Sequence, residues 1–156
     1  MTKLQELLIK LDACDTACVW VGEKTPKEAW ETCERADWML WLVGKMAGKK
    51  DWPTRKEVVL AACACAETAL KFVPKGENRP RLAIKTAREW VAGRSTLVEV
   101  RKAADAAYAA ADAAAYAAAY AADAAAAADA YASRRKAQKR MAAIVRKMLK
   151  VPLGKL

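Results

Sequence analysis

Residues 103–132 read AADAAYAAADAAAYAAAYAADAAAAADAYA, and this tract decides the fold of the 156-residue chain. Of its 30 residues, 22 are alanine and the others are four aspartates and four tyrosines. Because alanine loses no side-chain entropy on becoming helical, the tract predicts a helix. Thr96 and Glu99 carry the signature of a helix start. We therefore expect one alanine-rich helix from about Thr96 to about Lys150, roughly 80 Å long if unbroken.

Most of the non-alanine residues of this tract fall on one face of the predicted helix. Successive members are three or four residues apart, and some of these steps add up to eleven residues, a period that keeps a face nearly parallel to the helix axis. We name this set the Asp/Tyr face, and its members are Asp105, Tyr108, Asp112, Tyr116, Tyr120 and Asp123. The opposite face is bare alanine, which favours close packing on the bundle or on a second copy of the chain.

The Asp/Tyr face has three interpretations. It is a solvated face that keeps an alanine helix in water, a protein-binding face, or an ice-binding face. Tyrosine is enriched at binding hot spots, which favours the second. Ice-binding helices present regularly spaced threonines, and this tract has none. We take the Asp/Tyr face as the candidate partner-binding site.

Further helix starts precede the alanine tract and predict an all-α fold. A threonine followed three residues later by Glu or Gln marks each start, because the two side chains satisfy backbone donors that the first turn leaves unpaired. The pairs are Thr2 with Gln5, Thr25 with Glu28, and Thr54 with Glu57. We expect a bundle of about five helices forming a single domain over residues 1–156, with a Trp/Leu-rich part over 1–95.

The second predicted helix, about residues 26–47, carries an unusually aromatic face. Trp30, Cys33, Asp37, Trp38 and Trp41 lie within about a third of its circumference. A buried carboxylate is costly unless it is hydrogen-bonded or paired. Asp37, with Trp38 and Trp41, is therefore a candidate buried polar site. Either Asp37 pairs with an arginine of a later helix or an indole N–H, or it contacts a ligand or partner.

The net charge of +10 is concentrated at the C-terminal end, where nine cations and no acids give residues 133–156 a charge of +9. Such a segment suits nucleic acid, an anionic membrane surface or an acidic protein partner, and charge alone does not choose among them. The residues for a nucleic-acid alternative are Arg134, Arg135, Lys139 and Arg140. No helix-turn-helix or aromatic RNA motif accompanies them. The other interpretation packs the apolar stripe of this segment on the bundle and leaves the cations hydrated.

The residue types argue against an enzyme, a metal site and a cofactor. The chain has no histidine, and its five cysteines lack the paired spacing of a zinc site. A catalytic cysteine would also lack a histidine base. The N-terminus has no secretory leader pattern and no apolar run reaches about 18 residues. We expect a cytoplasmic protein with reduced, mostly buried cysteines, no bound cofactor and no membrane contact.

Three segments of the chain carry a family resemblance. They are KTPKEAWETCERADWMLWL at 24–42, VVLAACACAETALKFVP at 58–74 and RPRLAIKTAREWVAG at 79–93. With the alanine tract, they resemble the Imm-5-like putative immunity proteins of bacterial polymorphic toxin systems, a group also met in phages and mobile elements. The resemblance runs over about residues 4–148, and its most specific element is the aromatic face of residues 30–41.

The resemblance implies a small cytoplasmic binding protein without chemistry of its own. A member of this group would neutralise its cognate toxin by occluding it. A phage-borne member would instead inhibit a nuclease of the host defence.

Overall fold

The computed structural model describes residues 1–73, 75–106 and 124–155, and their regular secondary structure is entirely helical. The all-α prediction is confirmed. The described residues contain eight α-helices: α1 Lys3–Lys10, α2 Asp15–Val21, α3 Pro26–Thr32, α4 Ala36–Met46, α5 Arg55–Glu67, α6 Arg79–Val91, α7 97–106 and α8 Ala124–Met148. Short 3-10 helices follow at Leu70–Phe72 and Leu153–Lys155.

The chain divides into two compact units. Unit 1 comprises Met1–Val58 with Gln138–Leu156, and unit 2 comprises Val59–Ala137. The single domain predicted from the sequence stays a prediction. Among the described residues, no helix combines the length and the apolar character that crossing a membrane requires.

The predicted helix starts are confirmed. Thr25 and Glu28 form the full capping box, in which each side chain accepts the backbone N–H of the other residue. The same reciprocal bonds join Thr54 to Glu57 and Thr96 to Glu99. At α1 only half of the box forms, because the side-chain amide of Gln5 donates to the Cys18 carbonyl instead.

The number of helices differs from the predicted five, because the predicted helix that starts after Thr2 and the predicted helix over residues 26–47 are each divided in the structure. Between α1 and α2, Asp12 has φ 60°, a left-handed conformation that aspartate tolerates better than most residues. Between α3 and α4, Cys33 is extended at φ −65° and ψ 119°. The last predicted helix also ends earlier than expected, at Met148 rather than Lys150. The continuity of the helix over residues 107–123 lies outside the described residues.

Side chains from α8 satisfy the backbone groups exposed by the second break. The Ala36 N–H, at the start of α4, donates to Gln138 Oε1 at 3.0 Å. Arg146 Nη1 donates to the carbonyls of Trp30 and Cys33, at 3.1 and 2.8 Å, at the end of α3. The break is therefore fixed by partners more than 100 residues away in sequence.

Unit 1 has an apolar centre to which both ends of the unit contribute. Leu4, Leu8, Val21 and Ala29 form one buried cluster. Val43 of α4 and Val145 of α8 are fully buried. Of the apolar stripe predicted in the basic segment, Val145 and Leu149 are buried while Met148 stays exposed.

In unit 2, Ala61, Cys63 and Cys65 of α5 are buried. The thiol of Cys63 lies 3.9 Å from the Ile84 carbonyl of α6. An ion pair at 2.8 Å between Glu67 and Arg88 also joins these two helices. The expectation of mostly buried cysteines is confirmed at three of the five positions, Cys33, Cys63 and Cys65. Cys18 is half-buried and Cys14 is exposed.

Candidate functional site

Unit 1 contains a pocket of about 440 Å³ lined by residues of α1, α2, α3, α4 and by Leu153 of the second 3-10 helix. Its floor is made by buried aliphatic side chains such as Leu4, Leu8 and Val21. Its walls carry four half-buried indoles, Trp20, Trp30, Trp38 and Trp41. We call this feature the tryptophan pocket.

The helices place these indoles in a predictable way. Trp38 and Trp41 are three residues apart in α4, so they lie on the same side of that helix. Trp30 comes from α3 and Trp20 from α2. The rings of Trp20 and Trp38 meet edge to face, with centroids 6.0 Å apart and planes at 60°, one of the arrangements that aromatic pairs prefer.

Each of three pocket indoles also carries a cation of the chain on its ring. Lys24 Nζ lies 4.7 Å from the Trp20 ring centre, and it donates to the Trp20 carbonyl at 2.6 Å. The Arg35 guanidinium lies 4.4 Å from the Trp38 ring. Lys45 lies 5.7 Å from the ring of Trp41. These distances are within the range of cation–π attraction, which holds the cations beside the pocket.

Asp37 lies at the rim of this pocket, and its predicted burial is wrong. Its side chain is 46% exposed. Arg35 Nε and Nη2 donate to its two carboxylate oxygens at 2.8 and 2.5 Å. These hydrogen bonds lower the pKa of Asp37, and they outweigh the opposing effect of partial burial. The arginine was expected from a later helix, but it comes from the break immediately before α4.

Cys33 lines the pocket as a buried thiol beside the same break. Its Sγ lies 3.5 Å from the Arg35 carbonyl. Burial raises the pKa of Cys33, which keeps the thiol protonated at neutral pH. A protonated thiol is a poor nucleophile and a poor metal ligand. In the described part of the chain, no cluster of His, Cys, Asp or Glu side chains has a geometry suited to a metal ion.

The basic residues proposed for nucleic acid lie on an exposed surface. Arg134, Arg135 and Arg140 are exposed. Lys139 forms an ion pair with Glu34 at 2.9 Å, and this pair within unit 1 partly neutralises its charge. A nucleic-acid role for these residues stays a prediction.

The Asp/Tyr face lies almost wholly outside the described residues. Asp105 is exposed in α7. The other members, Tyr108, Asp112, Tyr116, Tyr120 and Asp123, fall in residues 107–123 and have no described structure. Their role as a partner-binding site stays a prediction.

The described residues define a small all-α protein with an apolar, tryptophan-lined pocket. The model of the Imm-5 like putative immunity protein family matches residues 52–146. This range covers more than half of the chain, and the chain belongs to that family. Comparisons with the curated proteins and with the solved structures gave no match.

The matched range is shorter than the resemblance suggested by the sequence. It begins at residue 52, after the aromatic face of residues 30–41, which is the most specific element of the sequence resemblance. The lining residues of the tryptophan pocket all lie before residue 43 or at Leu153, outside the match. In contrast, the whole Asp/Tyr face lies inside it.

Proposed function

We propose that this chain is a non-catalytic immunity protein that binds a protein toxin in the cytoplasm and blocks it by occlusion. The observation that carries the proposal is membership of the Imm-5 like putative immunity protein family through residues 52–146. An immunity protein acts by complementarity to its target and needs no reacting group of its own. Interface residues, rather than catalytic ones, are therefore the ones to identify.

The Asp/Tyr face is our proposed contact with the toxin. Its residues lie within the range matched by the family. Tyrosine provides a large, rigid contact area with few rotatable bonds, and it recurs at binding hot spots. Aspartates between the tyrosines would pair with cations, so the proposed target presents a basic surface.

The experiment starts from a toxin gene found beside the gene for this chain. Bacteria that express the toxin alone stop growing, and co-expression of this chain restores growth if the proposal is right. A stoichiometric complex is then expected in size-exclusion chromatography with light scattering. Failure of both readouts with an intact toxin would refute the immunity function. Binding to a host defence nuclease instead would favour the phage form of the hypothesis.

The interface is tested by a triple variant, Tyr108→Ala, Tyr116→Ala and Tyr120→Ala. Hot-spot truncation commonly costs about 2 kcal/mol or more per residue, so affinity should fall by well over tenfold. Asp129→Ala is the control, because on the predicted helix Asp129 is the non-alanine residue of the tract that lies opposite Tyr120 and off the Asp/Tyr face. Full rescue of growth by the triple variant would show that the contact lies elsewhere, while leaving the immunity function standing.

A further inference from the structure

The tryptophan pocket has the size and the lining of a small-molecule site. We propose that it binds an uncharged molecule with an apolar body of two or three rings and one hydrogen-bond acceptor, such as a ketone. The proposal does not rest on the proposed immunity function, because the lining residues lie outside the family match and none belongs to the Asp/Tyr face.

The volume sets the size of the ligand. Ligand pockets commonly measure about 300–1,000 Å³, and this one measures about 440 Å³. An apolar cavity of about 150 Å³ holds one benzene molecule. The tryptophan pocket therefore accommodates a body of two or three rings. Its buried aliphatic floor and indole walls offer few partners to water, which favours an apolar occupant.

The indole nitrogens explain why the ligand needs an acceptor. Within the described residues, none of the four pocket indoles donates a hydrogen bond from its ring nitrogen, and none of these nitrogens is sealed in the interior. A buried tryptophan N–H usually has a partner. Where a ligand covers one of these ring nitrogens it removes water from the donor, so a ligand with an acceptor oxygen should bind more tightly there than one without.

The charges around the pocket favour a neutral ligand. Asp12 and Asp37 line it, while Lys24, Arg35 and Lys45 lie against its indoles, so the opposite charges largely offset each other. An anion would therefore lose its water without a net electrostatic gain. A cation would be attracted by indole faces, but three of the four indoles already carry a lysine or arginine of the chain. A neutral carbonyl compound meets neither obstacle.

The test uses the full chain labelled with ¹⁵N and 2-acetonaphthone, a neutral two-ring ketone. The six tryptophans give six indole N–H signals in a heteronuclear NMR spectrum. We expect saturable shifts at pocket indoles, with at least one moving downfield because it donates to the ketone. Trp52 and Trp90 do not line the pocket and serve as controls within the same spectrum. Unmoved pocket indoles, or equal shifts of all six signals, would overturn the proposal.

Two probes of similar shape test the stated chemistry. Naphthalene lacks the acceptor, and one neutral hydrogen bond corresponds to about a fivefold change in affinity. We therefore expect naphthalene to bind about fivefold more weakly than the ketone. The anion 2-naphthoate should bind more weakly still. Equal or tighter binding of either probe would overturn the requirement for a neutral acceptor.

Variants locate the binding in the pocket. Ala13 is half-buried and lines the pocket, so Ala13→Phe should block it and abolish the saturable shifts. Ala92→Phe adds the same ring at an exposed alanine and should leave binding unchanged. If Ala13→Phe disrupts the fold, the affinity for the ketone is compared instead between Trp38→Phe, which removes a pocket indole, and its control Trp90→Phe, which does not. An affinity unchanged by a folded pocket variant would overturn the proposed site. The same conclusion would follow if the toxin shifted the pocket indole signals while the ketone did not.

Discussion

Arg146→Met should destabilise unit 1, because Arg146 joins α8 to the end of α3. One nitrogen, Nη1, donates to the Trp30 and Cys33 carbonyls at 3.1 and 2.8 Å. These carbonyls lie where α3 stops, so no further turn of helix supplies their donors. The positive charge also complements the negative end of the helix dipole. Methionine keeps an apolar stem of similar length and removes only the charged donors.

The expected loss follows from these two bonds. A hydrogen bond to a charged group contributes about 1.5–3 kcal/mol, and a buried acceptor left without a partner adds to the cost of losing it. Arg146 is only partly buried, so water replaces some of what is lost. We expect the free energy of unfolding to fall by about 2–3 kcal/mol. With a urea dependence of about 1–3 kcal/mol per molar, the midpoint of unfolding moves down by about 0.7–3 M.

Urea unfolding followed by tryptophan fluorescence measures this change. Five of the six tryptophans lie in residues 1–58, so the signal reports mainly on unit 1. Lys147→Met removes the neighbouring exposed cation and should change stability by less than about 0.5 kcal/mol. If Arg146→Met stays within that same margin of the unmodified protein, the two carbonyl contacts do not stabilise the break between α3 and α4.

Three further predictions address the caps, an ion pair and the thiols. Thr2→Ala should lower the free energy of unfolding by about 1 kcal/mol, because Thr2 Oγ1 accepts the Gln5 N–H at the start of α1; an unchanged urea midpoint would contradict this. Hydrogen bonds from Arg79 lower the pKa of Glu77 from 4.5 to about 2. The ionised Glu77 carboxylate therefore contributes fully to the free energy of unfolding above pH 4.5, and this contribution is lost as the pH falls toward 2. Glu77→Gln should flatten thermal stability against pH in that window, and parallel curves for both proteins would argue against the pair. Cys14 is exposed, whereas burial raises the pKa of the thiols of Cys33, Cys63 and Cys65. Ellman's reagent should therefore modify Cys14 before those three, and Cys14→Ser should remove one thiol from the fast phase of the reaction. An unchanged fast phase would refute this assignment.

The helix starts were predictable because their signals are local. A threonine and the Glu or Gln three residues later form both halves of a capping box without help from the rest of the fold. Thr25, Thr54 and Thr96 all cap helices with the predicted partners. Only Gln5 differs, since a carbonyl of α2 competes for its side chain.

The break between α3 and α4 was not predictable from local sequence. Residues 33–35 contain neither glycine nor proline. The break persists because Gln138 and Arg146 satisfy the backbone groups on its two sides. These residues appear in the sequence only as part of a basic segment. Their structural role becomes visible when the chain is folded.

The error at Asp37 follows from the same break. On a continuous helix over residues 26–47, Asp37 would share an interior face with Trp30 and Trp41. Because the chain is extended at Cys33, Arg35 is free to fold over Trp38 and to pair with Asp37 at the surface. The clustering of Trp30, Trp38 and Trp41 was predicted correctly, but Asp37 lies at the rim of the tryptophan pocket and not in its interior.

Trp20 was missed as a pocket residue for a comparable reason. On one helix through residues 3–21, Trp20 would lie about 200° around the axis from Cys18, on the side away from Leu4, Leu8 and Leu11. The turn at Asp12 separates α1 from α2 and reorients the second helix. Trp20 then meets Trp38 and completes the walls. No local pattern around Trp20 marks this contact.

The two proposed sites are made of different residues, so variants can test them separately. The Asp/Tyr face lies inside the range matched by the family, while the tryptophan pocket is built from residues on either side of that range. Loss of ketone binding in Ala13→Phe should therefore leave toxin neutralisation intact, and the tyrosine variants should leave the pocket signals unmoved. If one set of variants abolished both activities while the fold persisted, the toxin and the small molecule would have to act through a common site or through a coupled change in the protein.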